Sequence, residues 1–145
     1  MKKGIDFTGI TIIYFCHDGN GNYLMNKRSV NCRDEQGKWD CGGGALEFGD
    51  SFENTIKREI KEEYNAEVID FEFLGFRDVH RENNGIKSHW IALDFKVLVK
   101  KEGVKNGEPH KFDEIGWFKI NEIPEPLHSQ LKFTINKYKD KLITN

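Results

Sequence analysis

The segment GGGALEFGDSFENTIKREIKEEYNAEV, residues 42–68, passes from a glycine run through a short polar loop into a helical pattern. Ser51 is a good N-cap for a helix over residues 52–64. Winding that helix at about 100° per residue from Ile56 puts Phe52 and Ile60 at about −40° and +40°, which marks the buried face. Glu63 then falls at about −20°, Glu59 at about −60° and Glu62 at about −120°. Lys57, Lys61 and Arg58 fall on the other side, at roughly 100°, 140° and 200°. Three carboxylates therefore gather at the edge of an apolar face, where they repel one another and where Glu63 is costly to bury unpaired. A hard divalent cation removes both costs, because Mg²⁺ takes oxygen ligands. From angles alone, a solvated charge run is an equally good reading. The glycine run adds to the metal reading: Gly42, Gly43 and Gly44 let backbone approach a ligand closely, and their carbonyls can ligate a hard cation.

Outward from this segment the chain reads as strands. Residues 8–16 (TGITIIYFC) are apolar at both alternating sets of positions, which suits a strand covered on two faces. A turn at Asp18-Gly19-Asn20-Gly21-Asn22 leads to a second strand over 23–28, and a short strand precedes the glycines at Trp39. Beyond the helix, residues 68–81 and 86–99 form a long antiparallel pair about Asn83-Asn84-Gly85, with Ile91, Leu93, Phe95, Val97 and Val99 on one face. A charged loop over 100–112 is long enough to suggest a role at a site. A short strand over 114–118 and a final helix over 129–142 follow. The sum is an α/β or α+β chain around a mixed sheet, with one helix in mid-chain and one at the end.

With 145 residues the chain is expected to form one domain, 1–145. Lys plus Arg number 22 against 24 Asp plus Glu, so the basic excess of a nucleic-acid binder is missing. The longest apolar run, Ile12 to Cys16, is too short for a membrane span. Cys16, Cys32 and Cys41 form no C-x-x-C pair and read as reduced thiols, which points to a cytoplasmic protein. Nor do the five histidines show zinc spacing.

The segment resembles the Nudix box, G-x5-E-x7-R-E-U-x-E-E-x-G-U. Gly44, Arg58, Glu59, Ile60, Glu62, Glu63 and Ala66 stand at the matching spacings, and Gly43, Glu47 and Gly49 resemble the family's glycine loop. At average residue usage, glycine, arginine and three glutamates at these spacings arise in roughly one window per million. Asp50 stands where the box has Glu, Asn65 where it has Gly, and Gly42 where relatives often have Pro. Asn is the residue after Gly that best tolerates a left-handed backbone. The likeness extends to Arg33, to Gly37-Lys38-Trp39 and to the stretch from Trp117 to Pro124.

The resemblance implies an α/β/α sandwich and Mg²⁺-dependent hydrolysis, Mn²⁺ able to substitute, of a nucleoside diphosphate linked to a further group. Glu59, Glu62, Glu63 and the Gly44 carbonyl are then the expected metal ligands, with Arg58 orienting a carboxylate. A later acid (Glu108, Asp113 or Glu114) is a candidate to assist. The preferred substrate is a (d)NTP, giving NMP and pyrophosphate, as in small MutT-type enzymes. ADP-ribose or a nucleotide sugar comes second, because the chain leaves no room for the N-terminal region of many ADP-ribose hydrolases. A catalytically silent nucleotide sensor is the rival class. Trp39, Trp90, Phe76 and Trp117 are candidates to stack on a base, though large aromatics are more often core. The expected partner is a small nucleotide, with no nucleic-acid polymer and no membrane, leaving room for a homodimer.

Overall fold

The computed structural model describes residues 1–143. Its elements are β1 (Gly9–His17), β2 (Asn22–Arg28), β3 (Trp39–Asp40), β4 (Gly42–Ala45), α1 (Phe52–Tyr64), β5 (Val68–Asn83), β6 (Ile86–Val99), β7 (Phe112–Lys119), α2 (Leu131–Lys137) and α3 (Lys139–Ile143). β1 organises the sheet. It runs parallel to β6 from Gly9↔Trp90 to His17↔Leu98 and antiparallel to β4 from Thr11↔Ala45 to Tyr14↔Gly42. The strand order is β3-β2-β1-β6-β5, with β4 branching from β1 and β7 from β2.

The apolar residues of β1 serve two cores, as alternation requires when both faces are covered. Ile12, Tyr14 and Cys16 pack with Ile56, Ile60 and Tyr64 of α1, together with Phe95, Val97 and Val99 of β6. Phe15 packs with Leu131, Tyr138 and Leu142 from the C-terminal helices. The result is an α/β/α sandwich on a mixed sheet. Among the described residues, no helix is long and apolar enough to cross a membrane.

α1 has the bounds its periodicity predicts. The Ser51 side chain accepts from the Asn54 N–H at 3.0 Å, and Asn65 ends the helix in the left-handed conformation at φ 51°. Three expectations change. Phe52 is 46% exposed, and Glu53 and Asn54 beside it in the first turn are exposed too, although the Phe52 ring still meets Phe95. The glycine run is a strand, held by β1. The expected single helix over 129–142 is broken at Tyr138, whose backbone leaves helical geometry at φ −111° and ψ 20°. The Tyr138 hydroxyl donates to buried Asp94 of β6 at 2.7 Å, and Arg77 of β5 grips the same carboxylate at 2.7 and 2.9 Å. This buried network anchors the break to the sheet.

Candidate active site

β4 lies against the glutamate-bearing edge of α1, Gly42 next to Glu63 and Gly44 next to Glu59. Tyr14 projects from β1 beneath them, and its hydroxyl donates to Glu63. Glu63 is 5% exposed, and burial pushes its carboxyl up to about 8 against the bonds from Tyr14 and the Gly43 N–H. Burial and the charged neighbour Glu62 also raise Glu59, against the pull of Arg58 and Lys111. Glu62 stays exposed on the helix.

The glycines are required here by contact. A Cβ on Gly44 would overlap the Glu59 carboxyl group and lie 2.7 Å from its Oε2. On Gly42 it would overlap the Tyr14 ring and approach Glu63 Oε1 to 2.8 Å. The Gly44 carbonyl accepts from the Thr11 hydroxyl at 3.3 Å. An all-oxygen donor set beside a backbone cradle, with a buried carboxyl whose proton affinity the charge of Lys111 lowers only in part, fits a hard divalent cation. The three glutamates do not yet converge, however. Among the described residues, the only group of three His, Cys, Asp or Glu side chains with ligand atoms within 4.8 Å of one another is Asp78, His80 and His89.

Arg58 lies at the outer edge of this set. It bonds Asp50 through Nη1, and its Nη2 lies 3.7 Å from Glu59 Oε1. The Thr55 hydroxyl donates to the same Asp50 oxygen at 3.0 Å. The shorter Asp50 thus still reaches Arg58 from just ahead of the N-cap.

The charged loop before β7 docks by its backbone. The N–H groups of Lys105 and Gly107 donate to the last α1 carbonyls, Tyr64 O and Glu63 O, each at 2.9 Å. Gly107 has no space for a side chain, since a Cβ would overlap Glu62 O. This docking brings Glu108 and Lys111 into the electrostatic field of Glu59. Asp113 and Glu114 lie exposed on β7.

Two cavities adjoin the glycine strand. One, of about 500 Å³, is lined by Gly42, Gly43, Gly44 and Glu63 on one side and by Arg28, Arg33 and Lys111 on another. The second, of about 240 Å³, lies between β1, β5, β6 and α2, with Ile13, Val79, Trp90, Ala92 and Leu131 among its walls and Arg77, His128 and Gln130 among its polar groups. Thr11, Ile13, Asp40 and Cys41 line both. Of the aromatics considered for stacking, Trp90 lines the smaller cavity. Trp39 is buried edge-on against Phe118, Phe76 is exposed, and Trp117 carries Lys101 over its ring. Tyr14 and the backbone docking of Gly107 went unread in the sequence: a tyrosine inside an apolar strand and a glycine in a polar loop carry no distinguishing pattern. Lys111 was signalled by the length of its loop and by the likeness of Glu108-Pro109-His110-Lys111 to small MutT-type enzymes, neither of which gave it a role.

The sequence model of the NUDIX domain family matches residues 8–139. The chain belongs to the Nudix family of pyrophosphohydrolases. It is similar to the nucleoside triphosphatase NudI of Enterobacter sp. (strain 638), at 28% identity over 114 residues, covering 74% of this chain and 79% of that protein. In fold it is similar to the MutT NUDIX hydrolase from Burkholderia pseudomallei, with TM-score 0.79 and 23% identity over 91% of this chain and 98% of that one. It is also similar to the NUDIX domain of Shewanella oneidensis NrtR, solved in complex with ADP ribose, with TM-score 0.72 and 14% identity over 98% and 90%.

Proposed function

We propose that the chain hydrolyses a nucleoside triphosphate to nucleoside monophosphate and pyrophosphate in a reaction that requires Mg²⁺, with Mn²⁺ able to substitute. The observation that carries this reading is the sharing of Thr11, Ile13, Asp40 and Cys41 by two cavities of different character. The cavity beside Glu63 has the cationic wall a phosphate chain needs, and the other has the apolar wall and few polar groups that suit a nucleoside. Similarity to a nucleoside triphosphatase supports the same choice.

Glu59, Glu62, Glu63 and the Gly44 carbonyl would hold the cation. When bound, it offsets phosphate charge and lowers the pKa of a coordinated water. Lys111, Arg28 and Arg33 oppose the remaining charge of the phosphate chain. The water oxygen bonds to phosphorus, and the bridging P–O bond between the α- and β-phosphates breaks. Pyrophosphate leaves with the electron pair. Glu59, whose proton affinity burial and Glu62 raise, accepts the water's proton. Glu108 is the later acid coupled to it, and Arg58 holds Glu59 to Asp50 as a positioning residue.

A screen of NTPs, dNTPs, ADP-ribose, nucleotide sugars and dinucleoside polyphosphates, with Mg²⁺ and with EDTA, tests this reading. The expected result is monophosphate and pyrophosphate in equal amounts from a triphosphate, abolished by EDTA. Preferential cleavage of ADP-ribose to AMP and ribose 5-phosphate would favour the second reading, which the ADP ribose complex of a similar fold motivates. Binding without turnover across the screen would make the chain a sensor.

A further inference from the structure

On β5 and β6, a second cluster of ligating side chains stands apart from the glutamate helix. Asp78 and His80 are two apart on β5 and so share one face, and His89 of β6 is the direct cross-strand partner of His80. The intervening Val79 and the next residue Arg81 line the smaller cavity on the opposite face, so the cluster points away from the nucleotide cavities. The His80 and His89 rings stack with centroids 4.1 Å apart and 14° between planes. Both present Nε2 to one oxygen: His80 lies 3.3 Å from Asp78 Oδ1 and His89 lies 2.5 Å from it. The Thr8 hydroxyl meets His89 Nδ1 at 3.0 Å.

We propose that Asp78, His80 and His89 form a binding site for a transition-metal ion of the Zn²⁺ class, separate from the Nudix metal site. Two imidazoles are borderline donors that select Zn²⁺, Co²⁺ or Ni²⁺ over Mg²⁺, and one carboxylate completes a set that Zn²⁺ also accepts. Tetrahedral ligands about 2.0–2.1 Å from zinc stand about 3.3 Å from one another. The His80–Asp78 pair already has that separation, and the His89–Asp78 pair reaches it by opening less than about 1 Å, while the stacked rings must turn out of parallel so that one ion lies in the plane of each. Thr8 is the positioning residue. Once the ion takes the place of the proton at His89 Nε2, the ring's remaining proton sits on Nδ1 and the Thr8 hydroxyl can accept it, as the partners of metal-binding histidines do. Three protein ligands at an exposed position leave the fourth place to water. The ion would tie β5 to β6 and, through Thr8, to the N-terminal segment, whose Gly4 carbonyl accepts the His89 N–H at 2.7 Å.

Zn²⁺ binding to the full chain, measured by equilibrium dialysis in excess Mg²⁺, tests the proposal without involving turnover. The wild type is expected to retain one more Zn²⁺ than His80→Ala, His89→Ala or Asp78→Asn, and Thr8→Val is expected to weaken binding about tenfold. Imidazole NMR spectra of the wild type, which need no variant to fold, should show Zn²⁺ shifting His80 and His89 and leaving His110 unmoved. Equal Zn²⁺ retention by wild type and all three ligand variants would overturn the site, as would imidazole shifts confined to other histidines. Because Mg²⁺ holds the glutamate site throughout, a failed nucleotidase screen leaves this result intact, and the reverse holds too.

Discussion

The hydroxyl of Tyr14 on β1 donates to the buried carboxyl of Glu63 on α1, joining the central strand to the glutamate helix. The contact gives a carboxyl in an apolar setting a single buried side-chain donor, beside one backbone N–H and the partly offsetting charge of Lys111. Its proton affinity has consequences for stability. The group ionises near 4.5 in an unperturbed chain and at about 8 in the fold, so between those values the folded state keeps a proton that the unfolded state has released. In EDTA, the stability due to this group is full below about pH 4.5, declines as pH rises to about 8, and is level above. Urea unfolding from pH 5 to pH 9 should show this decline in the wild type and a flatter profile in Glu63→Gln. Equal slopes would contradict it.

Gly44→Ala separates folding from the site. The added methyl would overlap the flexible end of Glu59 rather than backbone, so the side chain can swing away. Stability should change by less than about 1 kcal/mol, while Mg²⁺-dependent turnover falls by at least about tenfold as Glu59 leaves the glycine strand. Thermal melting and a rate assay on the same sample check both halves.

Gly107→Ala should do the opposite to the fold. Here the overlap is with the backbone carbonyl of Glu62, so the loop must lift from the end of α1 and give up the bonds to Glu63 O and Tyr64 O. A loss of about 1–3 kcal/mol is expected, with weaker substrate binding as Lys111 moves. An unchanged melting temperature would show that the loop docks some other way.

Asn65→Gly should be nearly silent. Asn65 occupies the left-handed region, where glycine is unstrained, but its Nδ2 also donates to the Gly103 carbonyl at 3.0 Å at an exposed position. The relief and the loss are of similar size, and the net change should stay within about 1 kcal/mol. Denaturant unfolding measures it directly.

Much of the architecture was legible because it follows from period and capping. The two-fold alternation of residues 68–99, the N-cap at Ser51 and the left-handed stop at Asn65 are local signals, and α1 begins and ends where they place it. Long-range contacts were not legible. Nothing near Tyr138 announces a helix break, because the hydroxyl that anchors it reaches Asp94, 44 residues away. The glycines of β4 lack the side chains that mark strands, and their pairing is supplied by β1. In the same way, periodicity put Glu63 on the buried face but could not supply Tyr14, which lies 49 residues earlier. The angles also set three glutamates on one side of α1, whereas exposure of Glu62 depends on the surface around it.

The buried Glu63 is proposed to belong to a metal site that does chemistry. Glu63→Gln keeps the shape and removes the charge, and the decisive measurement is the melting temperature of both proteins in EDTA and in Mg²⁺, with triphosphate turnover assayed alongside. In EDTA the variant should melt no lower than the wild type, because a desolvated carboxyl has been replaced by a neutral amide. Mg²⁺ should then raise the wild-type melting temperature more than the variant's, since ligand bound only to the native state stabilises it by mass action, and the variant's turnover should fall by at least about a hundredfold. Wild-type turnover in Glu63→Gln, with the same response to Mg²⁺ in both proteins, would contradict the assignment.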